Sequence, residues 1–168
     1  VYLPIIDNKY KIKNKKSKHL FTHEGKLLAE KQTLYSVSYL ENSWAEQEAS
    51  DWENALYGII KTVVGVAEEK QWNIDAVTIT SQRSSVIPVD QNIHPLCSAI
   101  MWQDKRTNEI CERLSPLNDK VFSLCGSRIN PVFSASKMTW IRENRPEIYK
   151  KTYKFLVIPD YLIYLMTG

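Results

Sequence analysis

The alternation of apolar and polar positions changes character near residue 50. Before it, apolar residues come in short runs. Tyr2–Ile6 reads as a strand, and Leu20–Phe21 and Leu27–Leu28 flank the turn His23-Glu24-Gly25-Lys26, a hairpin signal. After it the period becomes helical. Trp52, Leu56, Ile59, Ile60, Val63, Val66 and Ala67 mark one face of a helix over Ser50 to Lys70, with Ser50 and Glu53 spaced as a capping box and Asp51 and Glu53 at the positive end of its dipole. Ile74–Thr80 has the composition of a buried strand and runs into the polar loop Ser81-Gln82-Arg83-Ser84-Ser85. Val86–Asp90 predicts another strand closed by a turn at Gln91-Asn92, and Ala99–Trp102 a third, ending in Gln103-Asp104-Lys105-Arg106-Thr107. Helices are expected from about Asn108 to Leu114 and from about Ala135 to Asn144, the latter stopped by Pro146. Phe155–Ile158 reads as a strand, Pro159 suits the start of a last helix, and Gly168 suits its C-cap. Strands alternating with helices after residue 50 define an α/β class.

Composition narrows the function. At 168 residues and 43% apolar, the chain suits one domain with a real core, and its 24% charged residues are ordinary for a globular protein. No apolar run approaches the roughly 20 residues a membrane helix needs, and Val1–Ile6 is too short for a signal peptide, so a cytoplasmic location and no membrane partner are expected. Cys97, Cys111 and Cys125 are odd in number, widely spaced and without a CxxC pair, which disfavours zinc and predicts free buried thiols. The net charge of +3 conceals a cluster: Lys9, Lys11, Lys13, Lys15, Lys16 and Lys18 form a run without an acid, and removing these six takes the total to −3. A mildly acidic body argues against nucleic acid as a partner. The run itself reads as a solvated loop, with an anion site or a nucleic-acid contact as the competing readings.

Two polar clusters stand where apolar strands end: Gln82-Arg83-Ser84, and Trp102-Gln103-Asp104 with Arg106. Ligands of open α/β sheets bind beyond the carboxyl ends of strands. A sugar or polyol needs paired donors and acceptors plus an apolar face. Arg83 offers two parallel donors, Asp104 two acceptors, and Trp102 a flat surface for a carbon face. The structural alternative is an Arg–Asp ion pair tying two loops together beside a core Trp.

Several stretches, in order, resemble the FGGY family of carbohydrate kinases. These are Trp44-Ala45-Glu46-Gln47 followed by Trp52; Ile79-Thr80-Ser81-Gln82-Arg83 followed by Val89-Asp90; and Ala99 to Thr107, which resembles the W-x-D-x-R-T signature. Pro131 to Ile141 with Asn144 to Pro146, and Asp160-Tyr161-Leu162 through Gly168, complete the set. The resemblance covers about residues 44 to 168. It implies a ribonuclease H-like, actin-like ATPase domain, a mixed sheet flanked by helices, incomplete at its C-terminus. It implies that 1–168 is a truncated N-terminal, sugar-binding domain without the C-terminal ATP-binding domain. The parent reaction is ATP-dependent phosphorylation of a sugar or polyol hydroxyl, with magnesium. Mapped by motif, Gln82, Arg83 and Ser84 match the sugar-contact loop, Trp102, Asp104 and Arg106 the second contact segment, and Val132 and Phe133 a pocket wall. Glycerol kinases carry a polar aromatic residue at the position of Val132, which makes glycerol a less comfortable substrate.

Two departures from the family pattern follow. The family opens with an Asp-x-Gly-Thr hairpin near the phosphates; here Asp7 is followed by Asn8-Lys9-Tyr10, without the glycine that lets backbone amides approach phosphate oxygens. The family's general base is an Asp expected beyond residue 168, so no catalytic residue is assigned here. The 168 residues alone are expected to be inactive and to bind no nucleotide tightly. They are also expected to self-associate as a homo-oligomer through exposed apolar surface. A non-catalytic sugar-binding or scaffold remnant of such a kinase is the rival reading.

Overall fold

The computed structural model describes residues 4–6, 14–40 and 43–168. Its elements, in chain order, begin with the strands β1 (Pro4–Ile6), β2 (Asn14–Phe21), β3 (Leu27–Tyr35), β4 (Ser38–Leu40) and β5 (Trp44–Gln47). There follow helix α1 (Ala49–Glu69), then β6 (Thr78–Ile79), β7 (Ile87–Val89) and β8 (Ala99–Ile100). The last third holds α2 (Asn108–Leu114), α3 (Asn118–Cys125), α4 (Ser134–Asn144), α5 (Pro146–Lys151), β9 (Lys154–Leu156) and α6 (Ile158–Thr167). The chain divides into two compact units. The first is made of Val1–Ser36, Ser50–Gln82 and Pro159–Gly168, and the second of Val37–Ala49 and Arg83–Ile158.

In the first unit β1, β2 and β3 form an antiparallel meander, and after α1 the chain returns as β6, parallel to β1, giving the order β3-β2-β1-β6. The β2–β3 hairpin turns where the sequence predicts it: Gly25 takes φ 84°, which a side chain would resist, and its N–H bonds Thr22 O at 3.0 Å. Helix α1 buries Trp52, Ala55, Leu56, Ile59, Val63 and Ala67 on one face, and Ile59 and Val63 pack with Leu20, Leu28, Ala29 and Ile74. The helix begins at Ala49, so Ser50 lies inside its first turn rather than ahead of it as a cap. Tyr161 of α6 is buried and hydrogen-bonded to Glu53 of α1; burial first, then that carboxylate, push its hydroxyl up to about 12.

β6 differs from expectation. The Ile74–Thr80 run reads as a buried strand, yet its described ladder is Pro4–Thr78 and Ile5–Ile79, and Val77 and Thr78 are exposed. Among the described residues β6 pairs with β1 on one side.

The second unit holds two small sheets, β4-β5-β8 and the antiparallel pair β7-β9, with α2 and α4 packed around them. Its core joins Val86, Ile100, Ile110, Trp140 and Ile141, with Trp44, Leu114, Met138, Ile148 and Phe155 against them. The sequence pattern does not announce α3, whose residues are all at least partly exposed. It ends at Gly126, φ 69°, whose N–H caps Phe122 O at 2.8 Å. The α4–α5 break falls where expected: Arg145 leaves the helical region ahead of Pro146, and proline opens α5. Gly168 caps α6, its N–H bonding Tyr164 O at 2.8 Å. The three thiols are free, but Cys111 alone is buried; Cys97 is half-buried and Cys125 exposed, on the solvated end of α3.

Candidate functional site

Val86 and Ile100 exchange backbone hydrogen bonds of 2.9 and 3.0 Å, and this pairing brings the two polar segments together. Arg83-Ser84-Ser85 leads into Val86, while Met101-Trp102 continues from Ile100. Ser85, fully buried, closes the junction: its hydroxyl accepts the Trp102 N–H at 3.0 Å.

Around that junction the expected contact residues are largely accessible. Arg83 is exposed and makes no ion pair or hydrogen bond among the described residues. Trp102 is 38% exposed, so it is not a core residue. Ser84, between Arg83 and Ser85, holds φ 69°, a left-handed conformation that costs a non-glycine residue about 1–2 kcal/mol. Strain of this kind gathers at ligand sites. Gln82 is half-buried and ends the Ser50–Gln82 stretch of the first unit.

Asp104 and Arg106 sit differently. Asp104 is buried and accepts four hydrogen bonds: Oδ1 from the Arg106 N–H at 2.8 Å and Nε at 3.0 Å, Oδ2 from the Ala45 N–H at 2.6 Å and Arg106 Nη2 at 2.9 Å. That fills the carboxylate's acceptor capacity. Arg83 is not among its partners. Arg106, its side chain 2% exposed, also donates to Glu46 at 2.8 Å, and its guanidinium lies 4.0 Å from the Trp44 ring centroid and 4.8 Å from that of Trp140. The two indoles meet edge to face at 5.3 Å. A buried Arg–Asp pair therefore exists, as the structural alternative foresaw, but its arginine is Arg106. It ties β5, the 101–107 segment and α4 together.

Phe133 is 42% exposed and Val132 39%, on the turn that enters α4. The backbone of this turn is held from behind. Lys137, fully buried, donates to the carbonyls of Pro131 at 2.5 Å, Val132 at 2.8 Å and Phe133 at 3.5 Å. Burial pushes its ammonium down to about 8, against the pull of Asp104. Ser136 donates to the Phe133 carbonyl at 3.1 Å and shares a 3.0 Å hydrogen bond with Thr107. Sequence reasoning assigned no role to Ser85, Thr107, Ser136 or Lys137. The signal for Lys137 was present: it precedes Trp140 and Ile141 by three and four positions, which puts a cation on the buried face of a helix.

Asp7, expected near the phosphates, lies outside the described residues, as do Lys9, Lys11 and Lys13; Lys15, Lys16 and Lys18 fall on β2. Among the described residues no three His, Cys, Asp or Glu side chains are grouped to hold a metal ion. Nor is any described helix long and apolar enough to cross a membrane.

The meander, helix and parallel strand of the first unit belong to the ribonuclease H-like, actin-type class, and solved kinases share the fold. A glycerol kinase from Plasmodium falciparum, solved with ADP, superposes with a TM-score of 0.84 at 25% identity over 97% of this chain and 34% of its own. A xylulose kinase from Rhodospirillum rubrum gives 0.86 at 16% identity over 96% and 32%. The chain belongs to the FGGY family of carbohydrate kinases, whose N-terminal domain matches residues 15–168. Among curated relatives, it is 34% identical to a glycerol kinase from Mycoplasmoides gallisepticum and 29% identical to a xylulose kinase from Bacillus subtilis, over 89% of this chain in each case. It spans 30% of the length of each.

Proposed function

We propose that this chain carries the acceptor side of a carbohydrate kinase, binding the sugar or polyol whose hydroxyl receives the γ-phosphoryl group of ATP. The observation that carries this reading is an exposed Arg83, unpaired among the described residues, held by the Val86–Ile100 pairing and the Ser85–Trp102 hydrogen bond next to the segment that bears an exposed Trp102. An arginine whose guanidinium is turned to solvent can offer its five donors to neighbouring hydroxyls. An accessible indole covers the carbon face of a sugar. Ser84 adds a hydroxyl, and Val132 and Phe133 an apolar wall.

Asp104 and Arg106 then act by holding the Trp102 segment rather than by touching the acceptor, because their hydrogen bonds are already made within the protein. Phosphoryl transfer rests mostly on positioning and charge stabilisation, and family kinases use ATP, generally with magnesium. The contribution of these residues is to place the acceptor hydroxyl. Val132, apolar where glycerol kinases have a polar aromatic side chain, favours a larger sugar over glycerol.

The test is a ligand-detected NMR titration of pentuloses, hexuloses and glycerol against the wild-type chain and Arg83→Ala. Loss of charge-assisted hydrogen bonds should weaken sugar binding about 10- to 100-fold. Sugar binding that Arg83→Ala leaves unchanged refutes the site.

A further inference from the structure

We propose that Lys137 is a positioning residue for the acceptor site: by tethering the carbonyls of Pro131, Val132 and Phe133 it fixes the wall that Val132 and Phe133 present. This rests on the reading that the two residues line the acceptor pocket.

The argument begins with what the lysine costs. It is the fourth residue of α4, where the helix dipole is positive, and a cation there is disfavoured. It is fully buried, and burying an ammonium carries a large desolvation penalty. A methionine of similar length would fill the same space with neither penalty. Helix α4 therefore gains nothing from a cation here. What the ammonium supplies is three N–H donors on one atom, and all three are directed at consecutive carbonyls of one turn. The carbonyls of Pro131 and Val132 precede the N-cap residue Phe133, so they have no place in the helix's own hydrogen-bond ladder, while that of Phe133 also accepts the Ser136 hydroxyl. Without the lysine the first two would be unsatisfied, or turned out to water with the turn displaced. The Thr107–Ser136–Phe133 chain of hydrogen bonds meets the same turn from the 101–107 segment. Two independent tethers thus fix the backbone of residues whose side chains are left accessible. The charged and titratable groups facing Lys137 are Asp104 and Arg106 from the 101–107 segment and Cys111 from α2; Asp104 and Cys111 favour the ammonium and Arg106 opposes it.

The experiment uses Lys137→Met, which keeps the stem and removes the donors, with wild type and Arg83→Ala alongside. Each is titrated with pentuloses, hexuloses and glycerol by ligand-detected NMR. The expected result is a folded Lys137→Met that binds ketoses about tenfold more weakly and discriminates less between them and glycerol. A residue that only supports the fold would lower the melting temperature without changing that ratio. Wild-type affinity for these uncharged ligands should also fall as pH rises through about 8, where the ammonium loses one donor. If Lys137→Met fails to fold, this pH dependence and Thr107→Val, which removes the second tether, carry the test. Wild-type affinities and selectivity in folded Lys137→Met overturn the proposal alone, provided Arg83→Ala weakens binding. A flat pH profile with an unaffected Thr107→Val does the same. Sugar binding indifferent to Arg83→Ala, or no binding by wild type, overturns the site reading and this proposal with it.

Discussion

At the scale of single residues, the strongest commitments are those of Arg106 and Ile93. Truncating Arg106 leaves Asp104 buried with two of its four hydrogen bonds remaining and opens space beside two indoles. Arg106→Ala should cost about 3–5 kcal/mol, read as a fall in the urea midpoint. Arg106→Lys should recover little, because an ammonium can neither grip the carboxylate in two places nor offer a planar face to the Trp44 ring. Ile93 shows the opposite case. It holds φ 62° in the turn between Asp90 and His94, with its N–H on Asp90 O at 3.1 Å, and a β-branched side chain resists that conformation. Ile93→Gly should raise stability by about 1 kcal/mol in the same measurement.

At the scale of elements, the pH behaviour of the turn before α4 is open to measurement. Lys137 titrates near 8 in the folded chain and at its ordinary 10.5 when unfolded. Between those values the unfolded chain binds more protons, so stability gains with rising pH across that window; below about 8 the penalty of the buried charge is present in full. Comparing wild type with Lys137→Met at pH about 7 and about 9 isolates this effect, since Cys97 and Tyr161 cancel in the difference. Wild type should gain on the variant at the higher pH. Elements with a strong period or a fixed backbone signal were legible in the sequence: α1 from its apolar face, the β2–β3 hairpin from Gly25, the α4–α5 break from Pro146. The motifs were legible too, and the segments that carry Arg83 and Trp102 lie side by side. The destinations of hydrogen bonds were not, because they depend on which segments meet. Asp104 next to Arg106 reads equally as a ligand pair or a knot until Ala45 is seen donating to it. β6 was overread too: the described strand spans Thr78–Ile79, and an apolar composition does not fix how many residues of a run join a ladder.

At the scale of the molecule, the second unit is assembled from two stretches of chain, residues 37–49 and 83–158, joined through Glu46, Ala45 and Trp44 on one side and Asp104, Arg106 and Trp140 on the other. Opening one stretch should open the other. In hydrogen exchange followed by mass spectrometry, Arg106→Ala should therefore accelerate exchange in both stretches together, and leave the α1 amides of the first unit near their wild-type rates. The knot of Trp44, Glu46, Asp104, Arg106 and Trp140 also bears on how such a protein diversifies. Asp104 and Arg106, two letters of the W-x-D-x-R-T signature, are buried and mutually dependent, so drift at either threatens folding. Arg83, Trp102, Val132 and Phe133 are accessible and bound to few neighbours. Selection can exchange such accessible residues at less cost in stability than the buried pair, so descendants of one ancestor can differ widely at their surfaces and still be known as kin by Asp104 and Arg106.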